Sequence, residues 1–213
     1  MEIEIFSDLI CPWCFIGKRR LDRALATAGN DIRVTWRPFQ LYPDLPMQGV
    51  DRATFYKARF GPDVDAKKIG EHIGVEADEA GITLDYSRIA TVPNTLSGHR
   101  LVSFFEGDPR QHALMDDLFC AYFCEGRDLG DVDVLADIGA GQGEDRDTIH
   151  ARLLSDEGAR AIRAQVQGAY GSGLSGVPYF VLGGKFGVPG AQSSDTMGQL
   201  IARAREKLAE TSA

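Results

Sequence analysis

"EIEIFSDLICPWCFIGKRRLDRALATAGNDIRVTWRPF", residues 2–39, decides the fold. Ile3 and Ile5 fall on one side of an extended chain and Glu2 and Glu4 on the other, the alternation of a strand. From Cys11 the apolar period lengthens to that of a helix, with Cys14, Leu21, Leu25 and Ala28 turned inward and Gly29-Asn30 as the stop. "DIRVTWRPF" (31–39) alternates again through Ile32, Val34 and Trp36, and Pro38 closes it. Strand, helix, strand makes a βαβ unit, and a Cys-x-x-Cys pair opens its helix.

From about residue 50 to 172 the pattern is helical. "DRATFYKARFG", "DAKKIGEHIGVEADEAG", "NTLSGHRLVSFFEG", "DPRQHALMDDLFCAYFCEG", "DVDVLADIGAG" and "DTIHARLLSDEGARAIRAQVQGAYG" each open near Asp or Asn and mostly stop at Gly. Asp108-Pro109 fits a cap followed by proline in the first helical position, and Gly126 fits the residue past the end. No repeat period links these helices. Strand signals return in "SGVPYFVLGGKFGVPGAQ" (175–192), where "YFVL" and "KFGV" flank a Gly183-Gly184 hairpin turn. A last helix starts at a serine cap in "SSDTMGQLIARAREKL", with Met197, Leu200, Ile201, Ala204 and Leu208 on one face.

The expected fold is therefore α/β. A thioredoxin-like unit of residues 1–50 plus 173–213 completes one sheet across a large all-helical insertion, residues 51–172, which forms a lid over it.

The 213 residues are 44% hydrophobic, enough for a sizeable core, and carry a net charge of -8. An acidic surface with both signs interspersed gives neither nucleic acid nor an anionic membrane a basic patch to hold. The opening residues lack the basic head and apolar run of a secretory signal. No stretch approaches the ~18 apolar residues of a membrane span. The expectation is a cytoplasmic protein, where thiols stay reduced and a paired-cysteine motif is catalytic or metal-binding.

If the helix starts at Pro12, Cys11 is its N-cap and its sulfur faces the free N–H groups of Trp13 and Cys14 at the positive helix end. Both effects favour a thiolate. Cys14, one turn in and less exposed, is placed to resolve a mixed disulfide formed at Cys11. Uncharged Pro12 and Trp13 imply a moderate activation, which Asp8 opposes if close, so a reductant or isomerase is expected rather than a strong oxidant. A zinc site would need Cys120 and Cys124 as its second pair, more than a hundred residues away, and no metal is expected. Those two are neighbours on a helix whose apolar face is Leu114, Met115, Leu118, Ala121 and Tyr122. Their Cβ atoms stand ~5–6 Å apart in a regular helix, longer than the ~3.8 Å of a relaxed disulfide. They read as ordinary thiols at an accessible edge, with an auxiliary redox pair as the alternative.

CPWC after the first strand, the long helical stretch, "VPNTLSGHRL" (92–101), then "GVPYFVLGGKFGVPGAQ" and a final helix resemble the DsbA-like branch of the thioredoxin superfamily. The closer resemblance is to FrnE-type proteins grouped with 2-hydroxychromene-2-carboxylate isomerases. It implies a thiol–disulfide oxidoreductase or isomerase with Cys11 as nucleophile, Cys14 as resolving thiol and Pro178 as a cis-proline that sets the Val177 backbone beside the dithiol. It also implies no bound cofactor, with glutathione or another dithiol as redox co-substrate and a disulfide-containing protein or small thiol as partner.

FrnE-type proteins can carry a second cysteine motif, for which Cys120 and Cys124 are the candidates. The related isomerases and kappa-class glutathione transferases imply the alternative function, glutathione-dependent isomerisation or transfer. There Ser194 and Asp195 hold glutathione near Pro12, Trp13 and Val177, and Asn94 and His99 border the cleft. A plain helix cap explains Ser194 and Asp195 equally well. His72, His112 and His150 carry no expectation.

Overall fold

The computed structural model describes residues 1–29, 31–61 and 66–211, without the side chains of 66–69. The helix start expected at Asp65, and the Asn30 half of the Gly29-Asn30 stop, lie outside the described residues. Strand β1 (Glu2–Ser7) leads into helix α1 (Pro12–Ala28), which returns through β2 (Arg33–Pro38). β1 and β2 are parallel, Ile3 opposite Val34 and Ile5 opposite Trp36. On its other edge β1 pairs antiparallel with β5 (Tyr179–Leu182), Ile5 opposite Phe180. β5 turns at Gly183-Gly184 into β6 (Phe186–Pro189), giving the order β2-β1-β5-β6. Both turn glycines have positive φ, 58° and 69°, the backbone that a two-residue hairpin needs and that other residues resist. Helix α9 (Ser194–Glu210) packs along α1.

Between β2 and β5 the chain is mostly helical: α2 (Arg52–Phe60), α3 (Ala66–Glu79), α4 (Leu96–Phe104), α5 (Arg110–Phe123), α6 (Val132–Gly141), α7 (Arg146–Leu154) and α8 (Ala159–Gly171). The capping residues behave as their chemistry requires. Asp51, Asp131 and Asp145 accept from backbone N–H groups at the starts of α2, α6 and α7, while Asp108 accepts from Arg110 N at 2.8 Å beneath Pro109. One buried cluster runs from Ile3, Ile5 and Phe180 of the sheet through Phe15 of α1 to Phe119 and Leu135 of the inserted helices. Phe15 stacks on Phe119 at 5.2 Å between ring centres. The inserted helices thus share the sheet's core.

Three features depart from the sequence reading. The stretch 147–171 is two helices, broken where Gly158 takes φ 75°. The Arg100 guanidinium supplies the reason: it donates to the carbonyls of Leu153, Arg152, Ser155 and Glu157, satisfying the end of α7 from 52 residues or more away in sequence. A two-stranded ribbon, β3 (Val50–Asp51) with β4 (Thr91–Val92), ties the two ends of the α2–α3 segment together. A 3₁₀ turn, Tyr86–Arg88, precedes β4. Among the described residues no helix is long and apolar enough to cross a membrane.

Candidate active site

Cys11 occupies the N-cap of α1 with an extended backbone (φ -95°, ψ 111°), and Pro12 is the first helical residue, as the motif implies. The sulfur's surroundings differ from the expectation. Its Sγ makes no bond to the helix N–H groups and instead donates to the Val177 carbonyl at 3.5 Å. Cys14 N is already taken by the Cys11 carbonyl at 3.0 Å. The residue is 4% exposed, not the open thiol that a helix tip suggests. The cause lies 166 residues along the chain. The Val177-Pro178 peptide is cis, and Gly190 N donates to the Pro178 carbonyl at 2.8 Å, holding that loop against the dithiol.

Gly17 makes this approach possible. A Cβ there would stand 3.1 Å from Pro178 Cγ and 3.3 Å from Phe180 Cζ. A glycine one turn past Cys14 is thus the sequence counterpart of the Val-Pro loop, and nothing local to it announces that pairing.

Cys14 is buried beneath Cys11. Burial pushes its pKa well above the ordinary thiol value, and hydrogen bonding to Cys11 and its charge push the same way. The nearby Ser7 hydroxyl and Asp8 backbone work against that rise. Ser7 Oγ is buried and has no hydrogen-bond partner among the described residues. Burial therefore favours the protonated form of the Cys14 thiol.

Asp8 closes the underside of the site. Its carboxylate is fully buried; Oδ2 accepts from Leu41 N at 2.6 Å, and Oδ1 lies 3.5 Å from His99 Nε2. His99 Nε2 sits 3.0 Å from the Phe39 carbonyl, so His99 stands behind Asp8 rather than on an open cleft. Half-buried Trp13 has its ring 6.1 Å from that of His72 on α3. Sequence reasoning had set His72 aside, because nothing near it announces a partner 59 residues upstream.

The remaining expected site residues are elsewhere. Asn94 was expected to bind substrate or glutathione, but it is 5% exposed and fully engaged. Its Oδ1 accepts from Gln40 Nε2 and Leu96 N, both at 3.0 Å. Its Nδ2 donates to the Leu45 carbonyl at 2.6 Å and approaches that of Pro43 at 3.4 Å. With two donors and two acceptor sites used, nothing is left for a ligand. Ser194 and Asp195 start α9, where Ser193 is the cap, accepting from Thr196 N at 3.2 Å. They line an open groove with Arg20, Arg23 and Thr27 of α1. That groove begins nine residues along α1 from Cys11, roughly 13 Å at the helical rise.

Cys120 and Cys124 are half-buried free thiols near the end of α5. Arg19 Nη2 approaches Cys120 Sγ at 3.7 Å, yet burial and Asp116 raise the Cys120 pKa. Burial and Cys120 push Cys124 up to about 11. Neither thiol is activated. Among the described residues no group of three or more His, Cys, Asp and Glu side chains is arranged to hold a metal.

A family model described as a DSBA-like thioredoxin domain matches residues 2–202. The chain is 30% identical to a probable DsbA oxidoreductase from Streptomyces coelicolor, whose crystal structure superposes with a TM-score of 0.86 over 97% of this chain and 90% of that one. YwbO of Bacillus subtilis, an uncharacterized protein, is 25% identical over 211 residues, 97% of this chain and 98% of its own. A 2-hydroxychromene-2-carboxylate isomerase shares the fold at 17% identity, with a TM-score of 0.75 over 100% of both chains. With its paired cysteines at the head of α1 and a Val-Pro loop laid against them, the chain belongs to the DSBA-like thioredoxin domain family.

Proposed function

We propose that the protein is a thiol–disulfide oxidoreductase or isomerase, with Cys11 and Cys14 as its redox pair. The observation that carries this reading is the asymmetry of the pair. Cys11 sits at the helix N-cap against the Val177 carbonyl, and Cys14 beneath it keeps its proton through burial. The Cys11 thiolate attacks one sulfur of a substrate disulfide, forming a Cys11–substrate disulfide and releasing the other sulfur as a thiolate that takes up a proton. Cys14 then loses its proton and attacks Cys11 Sγ. The Cys11–Cys14 disulfide forms as the second substrate sulfur leaves as a thiol. Two glutathione molecules, or one dithiol, return the pair to the reduced state and are themselves oxidised.

With only 4% of Cys11 exposed, a substrate sulfur reaches it on a thin, extended segment rather than on a folded surface. Disulfides in unfolded or flexible chains, or in small molecules, fit that access. A cytoplasmic setting suits a pair that works as reductant or isomerase.

A second reading, glutathione-dependent isomerisation or transfer, draws on the open groove at Ser194 and Asp195 beside Arg20 and Arg23. In it Cys11 assists a bound glutathione. Insulin-disulfide reduction by the wild type and by Cys11→Ser, with glutathione affinity measured in parallel, separates the two. Reduction that vanishes in Cys11→Ser supports the first. Tight glutathione binding with no reduction by the wild type supports the second.

A further inference from the structure

Beside the dithiol lies a cavity of about 170 Å³. Ile10 and Pro12, the chain neighbours of Cys11, form part of its wall, and the rings of Phe55, Tyr56, Tyr86 and Phe123 form much of the rest. Its size is informative, since an apolar cavity of ~150 Å³ accepts one benzene ring. A ring-lined space of that volume fits one aromatic side chain, held edge-to-face or offset by its neighbours. Phe60, 45% exposed, also lines it, which places an opening at the surface.

Among the described residues lining the cavity, one buried side-chain polar atom lacks a partner. The Tyr86 hydroxyl is buried and has no hydrogen-bond partner among the described residues. Burial chiefly, then Tyr56 and Cys11, raises the Tyr86 pKa against the pull of Arg52, so the phenol stays protonated and able to donate. Arg52 does not supply the missing acceptor, being itself a donor. Its guanidinium lies 4.7 Å from the Tyr56 ring centre and 5.4 Å from that of Tyr86, with Nη1 donating to the Tyr86 carbonyl at 3.2 Å.

We propose that this cavity is a specificity pocket for the residue next to the substrate cysteine, that it takes an aromatic side chain, and that tyrosine fits it best. The phenol oxygen of a bound tyrosine accepts the hydrogen bond that Tyr86 otherwise lacks. The commitment to a side chain, rather than a free aromatic molecule, rests on the wall built from Ile10 and Pro12. A ring held there is one residue's reach from the sulfur that Cys11 attacks. The inference depends on the redox reading above and adds to it a substrate class.

The test is a single-turnover reaction of the reduced protein with symmetrical disulfides of acetyl-Cys-Xaa-amide, Xaa being Ala, Leu, Phe or Tyr. Acid-quenched time courses give second-order rate constants. Burying the ring makes the Phe peptide about tenfold faster than the Ala peptide, or more. The added hydrogen bond makes Tyr about two- to tenfold faster than Phe. Tyr86→Phe brings the Tyr/Phe ratio to one and keeps the Phe/Ala ratio. Ile73→Trp, which fills the cavity from α3, lowers the Phe/Ala ratio to about threefold or less, as the space for the ring is lost.

Equal rates for all four peptides in the wild type overturn the pocket and leave the redox reading standing, whereas no reaction with any of them overturns both. Competition by p-cresol without any preference among the peptides reassigns the cavity to free aromatic compounds and overturns the side-chain proposal.

Discussion

Lys18 is buried where α1 meets α5. Its side chain is 6% exposed, with Nζ 2.7 Å from Asp22 Oδ2 and 3.0 Å from Asp116 Oδ1. At an effective dielectric near 20, a unit pair at these distances attracts by about 6 kcal/mol, before the cost of removing the ammonium from water. That cost is several kcal/mol per ion, and removing one partner of a buried pair typically destabilises by about 3–5 kcal/mol. Here the carboxylates retain 33% and 24% exposure. Each also keeps a second partner, His112 on Asp22 and Arg19 on Asp116. Lys18→Met, which preserves the packing of the stem, should therefore cost about 2–3 kcal/mol, at or just below the bottom of that range.

Equilibrium urea unfolding should show this as a midpoint lowered by about 1 M at unchanged slope. The triple variant Lys18→Met, Asp22→Asn, Asp116→Asn should recover most of the loss. The acid limb gives a second readout. Burial pushes the Asp22 carboxyl up, but hydrogen bonds from His112 and Lys18 prevail and hold it below its ordinary value. Its contribution to stability is thus present above about pH 4 and lost as pH falls through the folded-state value. The gap between wild type and Lys18→Met should narrow on acidification through that window. A loss under about 0.5 kcal/mol at pH 7, or a gap that widens in acid, would refute this reasoning.

Asn94→Ala, which strands Gln40 and the Leu45 carbonyl, should cost about 2–4 kcal/mol in the same unfolding experiment and leave glutathione affinity unchanged; the reverse pattern would restore Asn94 as a binding residue. Gly126→Ala should lose about 2–4 kcal/mol, because φ is +72° and the new Cβ would stand 2.3 Å from the Arg88 carbonyl oxygen; a stable variant would show that the turn relaxes. With Cys124 raised to about 11, iodoacetamide labelling of Cys124 should be slow at pH 7 and accelerate with every unit of pH above it. Cys120→Ser with Cys124→Ser should keep disulfide reduction within about twofold, since neither thiol is activated; a collapse of activity would revive the auxiliary pair.

The sheet was legible because its strands alternate locally. Ile3, Ile5 and the Gly183-Gly184 hairpin need no distant information. Cys11 and Cys14 at the head of a helix were legible for the same reason, Pro12 being a first-turn residue by its own chemistry. Their surroundings were not. The burial of Cys11 comes from a loop at Val177, and the break between α7 and α8 is stabilised by Arg100, both far off in sequence. Asn94 illustrates the opposite error, a polar residue beside a suggestive motif whose donors and acceptors are all engaged by the backbone and Gln40. Tyr86 and Arg52 had no sequence signal, since an unpaired phenol is visible only once the cavity around it exists.

The most direct measurement is intact-mass and peptide mapping of Cys14→Ser after exposure to a disulfide substrate, beside the wild type. The expected result is a stable mixed disulfide on Cys11 alone in the variant, and a Cys11–Cys14 disulfide with two released substrate thiols in the wild type. An adduct on Cys14 in Cys11→Ser that forms as fast, a trapped adduct on Cys120 or Cys124 instead of Cys11, or no Cys11–Cys14 bond in the wild type would contradict it.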